Sequence, residues 1–389
     1  MNKVQKIAAG LCLAALLAGG ALTARLYSER KATEAADAAQ RAKWESAGME
    51  AGQTPAGQGA GQEAGEGAQN GLGGRRQVDY AFFSTNEYSE QNAFNRQQPF
   101  KNKELIYGGK RYLRHTGIRA ILLLGLDRSE GDLLEERVPW EQGQTDAIFL
   151  LAHNTARNTV QILKIPRETM AVMPWTNADS QVVTESVERI TLAYTNGNGV
   201  EQSCEVTRDT VSRLLGGLSI DHYMLADLNV VADVNDLVGG VTVKVPKDRT
   251  KWKDPAFSPG AEITLHGKDA ELFVRSRNSK EHFTAMERLE RQQIYMIAFE
   301  KQLKRCLKKD QKIVEKMFDA MEGDMLTDMR RQEYVDLTLS ILGSGDISGD
   351  DFFTLPGEPK VGEAQDEYHP HYADIDRMVL DLFYYEKEQ

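Results

Sequence analysis

Residues 120–127 read AILLLGLD, seven apolar or small residues followed by an aspartate. A run this short, bounded by Arg119 and by the acid, fits a strand buried on both faces, where side chains of either parity meet an apolar layer. Two more such runs follow at Ala147–Ala152 and Thr159–Ile165, and the polar link Asn154–Asn158 between them predicts a hairpin. Working outward, Thr207–Leu215 reads as a helix stopped by Gly216-Gly217, and Tyr223–Leu237 as a strand leading into a helix that ends before Gly239-Gly240. Val241–Val245 alternates like a strand. From Thr284 to Lys308, Met286, Leu289, Met296, Phe299, Leu303 and Leu307 recur near helical spacing and predict one long helix. Helices around Ile313–Met321 and Gln332–Leu342, a strand near Phe352–Leu355 and a helix over Ala373–Tyr384 complete the reading. Strands mixed with helices in this way predict an α/β fold with its sheet covered on both faces.

The first hundred residues of the 389 are of another kind. Two lysines precede the uncharged Ala/Leu-rich run Ile7–Thr23, the layout of a signal peptide or a short signal-anchor, and either one directs the remainder out of the cytoplasm. Gly48–Gly74 is dominated by Gly, Ala, Gln and Glu, too polar to offset its ordering entropy, and reads as a flexible tether. The expected organisation is a signal-anchor over 1–30, a linker over 31–112, a catalytic domain over 113–310 and a C-terminal extension packed on it over 311–389. A net charge of −11 excludes the basic footprint of a nucleic-acid binder. Of the three cysteines, Cys12 lies in the apolar segment; for Cys204 and Cys306, spacing alone does not decide whether they pair.

Three features carry candidate chemistry. Asp127 emerges at the carboxyl end of a buried strand, where ligands of open α/β sheets gather, and Asp146 precedes the next apolar run. Two neighbouring carboxylates suit a hard cation such as magnesium, although without further context the commoner reading of each is a turn cap. In Lys164-Ile165-Pro166-Arg167-Glu168 the proline ends the strand and leaves Arg167 in a loop, as a ligand for an anion or as half of a salt bridge. Val274-Arg275-Ser276-Arg277 has strand alternation that points both arginines to one side. Arg288, Arg291, Gln292 and Tyr295 share one helical face. Guanidinium forks match phosphate oxygens, so this set is a plausible pyrophosphate cradle; with Glu287 and Glu290 between them, a solvated face of ion pairs reads the same way.

In this order the segments resemble the LytR-CpsA-Psr family of cell-wall glycopolymer transferases. The resemblance rests on Ile121-Leu122-Leu123-Leu124-Gly125-Leu126-Asp127-Arg128, Thr145-Asp146-Ala147-Ile148-Phe149-Leu150, Leu163-Lys164-Ile165-Pro166-Arg167, Val238-Gly239-Gly240-Val241, Val274-Arg275-Ser276-Arg277 and Arg288-Leu289-Glu290-Arg291-Gln292-Gln293, spanning about Arg119 to Ala298. It implies an αβα sandwich with a central mixed sheet and a hydrophobic tunnel for a polyprenyl chain, carried on an N-terminal transmembrane anchor. It further implies Mg2+ (or Mn2+) held by Asp127 and Asp146, catalysis by these two with Arg167, and pyrophosphate binding by Arg128, Arg167, Arg275, Arg277, Arg288, Arg291 and Gln292. The implied reaction moves a glycopolymer, teichoic acid or capsular polysaccharide, from a polyprenyl-pyrophosphate carrier to a peptidoglycan acceptor, outside the cell membrane of a Gram-positive-type envelope. The implied alternatives are a polyprenyl-pyrophosphate hydrolase and a catalytically weak glycolipid-binding scaffold. The chain departs from the family pattern at Gln144 (usually Arg), Glu168 (usually Asp), Thr191 (usually Asn) and Ala285 (usually Asp).

Overall fold

The computed structural model describes residues 103–127, 143–177, 181–228, 230–246, 257–278 and 280–387. The expected anchor, the linker up to residue 102 and Arg128 lie outside the described residues. The core is a six-stranded sheet of β1 (Ile118–Asp127), β2 (Gln144–Asn154), β3 (Thr159–Lys164), β4 (His222–Asp227), β5 (Met325–Thr327) and β6 (Phe352–Thr354). Their spatial order is β5-β4-β1-β2-β3-β6. β1 runs parallel to β4 and antiparallel to β2, β2 antiparallel to β3, and β3 parallel to β6, so the sheet is mixed. The hairpin read at Asn154–Asn158 joins β2 to β3.

The described helices are α1 (Val200–Leu214), α2 (Val230–Leu237), α3 (Lys268–Arg275), α4 (Thr284–Leu307), α5 (Ile313–Met321), α6 (Arg331–Leu342) and α7 (Tyr372–Phe383). Alternate strand residues feed two apolar layers. Ile121, Leu123, Phe149, Leu151 and Ile162 pack with α2 through α6. Leu122, Leu124, Ile148, Leu150 and Leu163 pack with α1, α7 and the 3-10 turn Ile190–Asn196. Because both faces are covered, the run at 120–126 is apolar without alternation, and the three layers are helix, sheet, helix.

The structure changes several expectations. Lys268–Arg275 is a helix ending at Arg275, with Ser276 extended behind it, so Val274–Arg277 is not a strand. Ala270, Phe273 and Val274 are its buried face, a spacing of three and four that a four-residue window at 274–277 hides. α1 starts at Val200, a helical turn or two earlier than read, behind Gly199 at φ 91°. Folded structure begins before residue 113: Glu104–Tyr107 and Lys110–Arg114 form a hairpin whose second strand pairs with Tyr384–Glu386. The last eighty or so residues are integral to the layers, supplying both edge strands β5 and β6 and helices to each face. Cys204 and Cys306 are both free thiols. No described helix is long and apolar enough to cross a membrane.

Leu105 is only 2 % exposed and belongs to the second apolar layer. Leu105→Ala is therefore expected to lower the unfolding free energy by about 2–5 kcal/mol in denaturant titration, as for a core leucine; a change within experimental error would return residues 104–112 to the linker.

Candidate active site

Strand directions bring the candidate residues to one end of the sheet. β1 ends at Asp127, the antiparallel β2 begins beside it, and β3 returns to the same end before Pro166 and Arg167. The β1–β2 register slips there: Gly125 opposes Ala147 and Leu126 opposes Thr145, which leaves Asp146 as the extra residue. Such a bulge frees a side chain from the ladder and re-aims it.

Asp146 is buried between two guanidinium groups. Arg167 donates to its Oδ1, and Arg288 donates to its Oδ2 at 2.7 Å and to its carbonyl at 3.2 Å. Burial alone would raise this carboxyl, but Arg167, Arg288 and Arg277 together outweigh it and hold the group at about 2. Arg167 also donates to Gln144 Oε1 at 2.7 Å, and its Nε stands 3.6 Å from Glu168. Gln144 and Glu168 are both departures from the family pattern, and they serve Arg167 as a hydrogen-bond acceptor and as a nearby counter-charge. Thr191, a third, donates to the Thr145 carbonyl at 3.0 Å, and its amide donates to the Arg167 carbonyl at 3.1 Å. Ala285, the fourth, lines a small recess with Glu168, Phe283, Met286, Asp366 and Tyr368.

Asp127 is different. Arg275 donates to its Oδ1 at 2.9 Å while also pairing with Glu271. Its side chain is 29 % exposed, and Oδ2 makes no hydrogen bond or ion pair with the described residues. Loss of water pushes it up to about 6, and the neighbouring Asp146 charge adds to the rise, against the pull of Arg275, Arg288 and Arg167. Arg277 is exposed yet hemmed in by protein. Its pKa is lowered by desolvation and then by Arg167 and Arg288, and it makes no hydrogen bond or ion pair among the described residues. Asp127, Asp146, Arg167, Arg275, Arg277 and Arg288 are thus one electrostatic cluster.

Two expected ligands have another place. Arg291 is 1 % exposed and donates to the carbonyls of Phe273, at 2.9 Å, and Ser276. Gln292 is fully buried and aims its amide at the Val274 carbonyl, 3.4 Å away. Both clasp the end of α3 and so set the positions of Arg275 and Arg277. A buried helical face pointing at a neighbouring helix end looks, in sequence, the same as one pointing at a ligand. Sequence reading missed Arg189, which ends the strand Val182–Arg189. Its pKa is lowered by burial and by Arg167, with Glu168, Glu188 and Asp146 opposing. The signal was its place two residues before Thr191.

Among the described residues no group of three or more His, Cys, Asp or Glu gathers to hold a metal. The pair fits a magnesium-type ion nonetheless: Asp127 offers an open carboxylate oxygen, each Asp146 oxygen keeps a second lone pair, and magnesium commonly takes one or two carboxylates and fills its shell with phosphate and water.

Fold and site together define an α/β protein with a carboxylate- and arginine-rich centre at a sheet end, where ligands of such sheets gather. The chain belongs to the LytR-CpsA-Psr family: residues 78–382 match the LytR_cpsA_psr family. Among curated relatives it is similar to the Bacillus subtilis polyisoprenyl-teichoic acid–peptidoglycan teichoic acid transferase TagU, 26% identical over 158 residues, 41% of this chain and 44% of the relative. It is also similar to the B. subtilis transferase TagV of the same description, 27% identical over 142 residues, 35% of this chain and 33% of the relative. The match therefore spans less than half of either relative's length. The crystal structure of B. subtilis TagV shares the fold with a TM-score of 0.51 at 21% identity, covering 69% of this chain and 97% of that one.

Arg291→Ala strips buried carbonyls of their donor and is expected to reduce stability by about 1–3 kcal/mol, against no more than about 0.5 kcal/mol for Arg277→Ala. Thermal unfolding of the two variants side by side checks the division; equal losses would contradict it.

Proposed function

We propose that the chain is a phosphotransferase that moves a glycopolymer from a polyprenyl-pyrophosphate carrier to a hydroxyl of peptidoglycan. The observation that carries the reading is Arg277, a guanidinium without a hydrogen-bond partner among the described residues, held beside Arg167 and Arg288. Like charges crowded together are relieved by an anion, and a pyrophosphate supplies one with oxygens enough for several arginine forks. The family and the named activity of the TagU and TagV relatives support the same class of reaction.

In this reading the acceptor oxygen attacks the sugar-proximal phosphorus, the bond from that phosphorus to the bridging oxygen breaks, and polyprenyl phosphate leaves with the electron pair. Arg277, with the positive field of the buried Arg275 and Arg288 behind it, neutralises charge that grows on the leaving phosphate. Asp146, paired with Arg167 and Arg288, holds those two in place. Asp127 is the carboxylate available for work: its open oxygen either receives the acceptor's proton or, with Asp146 behind it, holds Mg2+ or Mn2+. A divalent cation there would add charge neutralisation at the phosphates. Arg291 and Gln292 position α3, and Arg189 extends the positive rim.

The polyprenyl tail calls for an apolar tunnel, and the layer between the sheet and α2–α4 is the place we assign to it, since Leu289, Phe273 and Val274 adjoin the arginines in sequence and face that layer. Ile7–Thr23 serves as the membrane anchor, with the folded part outside the cytoplasm on its tether.

Arg277→Ala is expected to reduce binding of an isoprenyl-pyrophosphate-linked sugar at least about tenfold with folding intact, the scale of a lost charge-assisted hydrogen bond. Product analysis with and without a glycan acceptor distinguishes transfer from hydrolysis, and sugar release in the acceptor's absence at an equal rate would favour the hydrolase. Either duty of Asp127 needs its ionised form. Activity and apparent magnesium affinity are therefore expected to rise with pH through about 6, losing about tenfold per unit below it. Asp127→Asn should abolish that limb, and a pH profile unchanged in the variant would remove Asp127 from the reaction.

A further inference from the structure

α4, the helix that carries Arg288, starts without a cap of its own. Phe283 at its N-cap position has φ 62° and ψ 20°, in the left-handed region, and makes no side-chain cap hydrogen bond. A bulky aromatic residue is disfavoured there, and a helix start leaves amide donors and partial positive charge to be satisfied. Both needs are met from a distant part of the chain. Asp366 Oδ2 accepts from the Phe283 amide at 2.6 Å, and Asp366 Oδ1 lies 2.6 Å from His282 Nδ1.

Asp366 opens the second strand of an antiparallel hairpin, Gly357–Val361 with Asp366–Pro370. The same hairpin grips two other segments of the site. Tyr368 bridges to Thr169, and its amide donates to the Glu168 carbonyl at 2.8 Å, one residue from Arg167. Gln365 accepts from Arg189. Its base is fixed: β6 leads into it from the central sheet, the Tyr368 hydroxyl donates to the Leu355 carbonyl at 2.6 Å, and a Cβ on Gly357 would come within 2.5 Å of the His369 carbonyl oxygen.

We propose that this hairpin is a clip that sets the spacing of Arg167, Arg189 and Arg288 around the pyrophosphate site, with Asp366 as its positioning residue. Asp366 touches no reacting atom. It holds the His282-Phe283 turn in its strained form, which fixes where α4 begins and hence where Arg288 meets Asp146. The clip itself stands on geometry alone, whereas its effect on ligand affinity rests on the pyrophosphate reading above.

The test uses the full chain, with hydrogen exchange and with titration of farnesyl pyrophosphate in the presence of magnesium. Asp366→Ala is expected to speed amide exchange over residues 284–287 about tenfold and to weaken farnesyl pyrophosphate about tenfold, with only a small change in melting temperature. Adding Phe283→Gly to that variant should restore affinity to within about twofold, because glycine takes a positive φ freely. Asp366→Asn, which keeps an acceptor for the Phe283 amide, should fall between and serves if the alanine variant does not fold. Wild-type exchange rates in Asp366→Ala, or a double variant as weak as the single one, would overturn the clip. A wild-type chain that binds no farnesyl pyrophosphate would instead sink the pyrophosphate reading, leaving the exchange rates to decide the clip.

Discussion

The site depends on one buried carboxylate. Asp146 is taken out of water at the edge of the sheet, which is strongly unfavourable unless the charge is paired and fully hydrogen-bonded. Arg167 and Arg288 supply that pairing from a strand-ending turn and from a long helix, two parts of the fold that the apolar layers alone would not hold in register. Removing Asp146 would leave two buried guanidinium groups without their shared counter-charge, and removing either arginine would leave one carboxylate oxygen without its donor. The same constraint explains why Gln144 and Glu168 crowd around the Arg167 guanidinium, one as an acceptor and one as a counter-charge, while the Thr191 amide and hydroxyl donate to the Arg167 and Thr145 carbonyls and fix the backbone there.

Around that anchor the arginines divide into two kinds. Arg291, with Gln292 beside it, is spent on backbone carbonyls at the end of α3, and Arg167 and Arg288 on Asp146. Arg275 is shared between Asp127 and Glu271, and Arg277, one residue past the helix cap, is left without such a partner among the described residues. Committed arginines fix geometry; the uncommitted one supplies the attraction. A site built of uncommitted cations alone would repel itself apart, and one built of committed ones would have nothing left for a ligand.

Most of this was legible in the sequence, and the failures have physical reasons. Continuous apolar runs marked β1, β2 and β3 because a strand covered on both faces has no polar side. Asp127, Asp146 and Arg167 were legible because each breaks or bounds such a run. The helix at Lys268–Arg275 was misread because four residues ending in Arg-Ser-Arg fit either period, although the convergence of Arg275 and Arg277 survives, the helix ending between them. Arg291 and Gln292 were assigned to the ligand because residue type does not reveal which buried partner a side chain meets. The hairpins at 104–114 and 357–370 are short, polar and half-exposed, so they carry no strong hydrophobic period, and their partners lie hundreds of residues away or across the site.

Topology ties these pieces together. β1, β3, β4 and β6 all point their carboxyl ends at the same edge of the sheet, and the antiparallel β2 contributes its beginning there. A chain entering from four strand ends delivers loops, not regular structure, to that edge, and loops hold arginines poorly unless something ties them. The bulge at Asp146 and the hairpin after β6 do this from opposite directions, one from within the sheet and one from outside it. A positive site arranged before an anion arrives needs no reorganisation to receive it, and that advantage exists only as long as both ties hold.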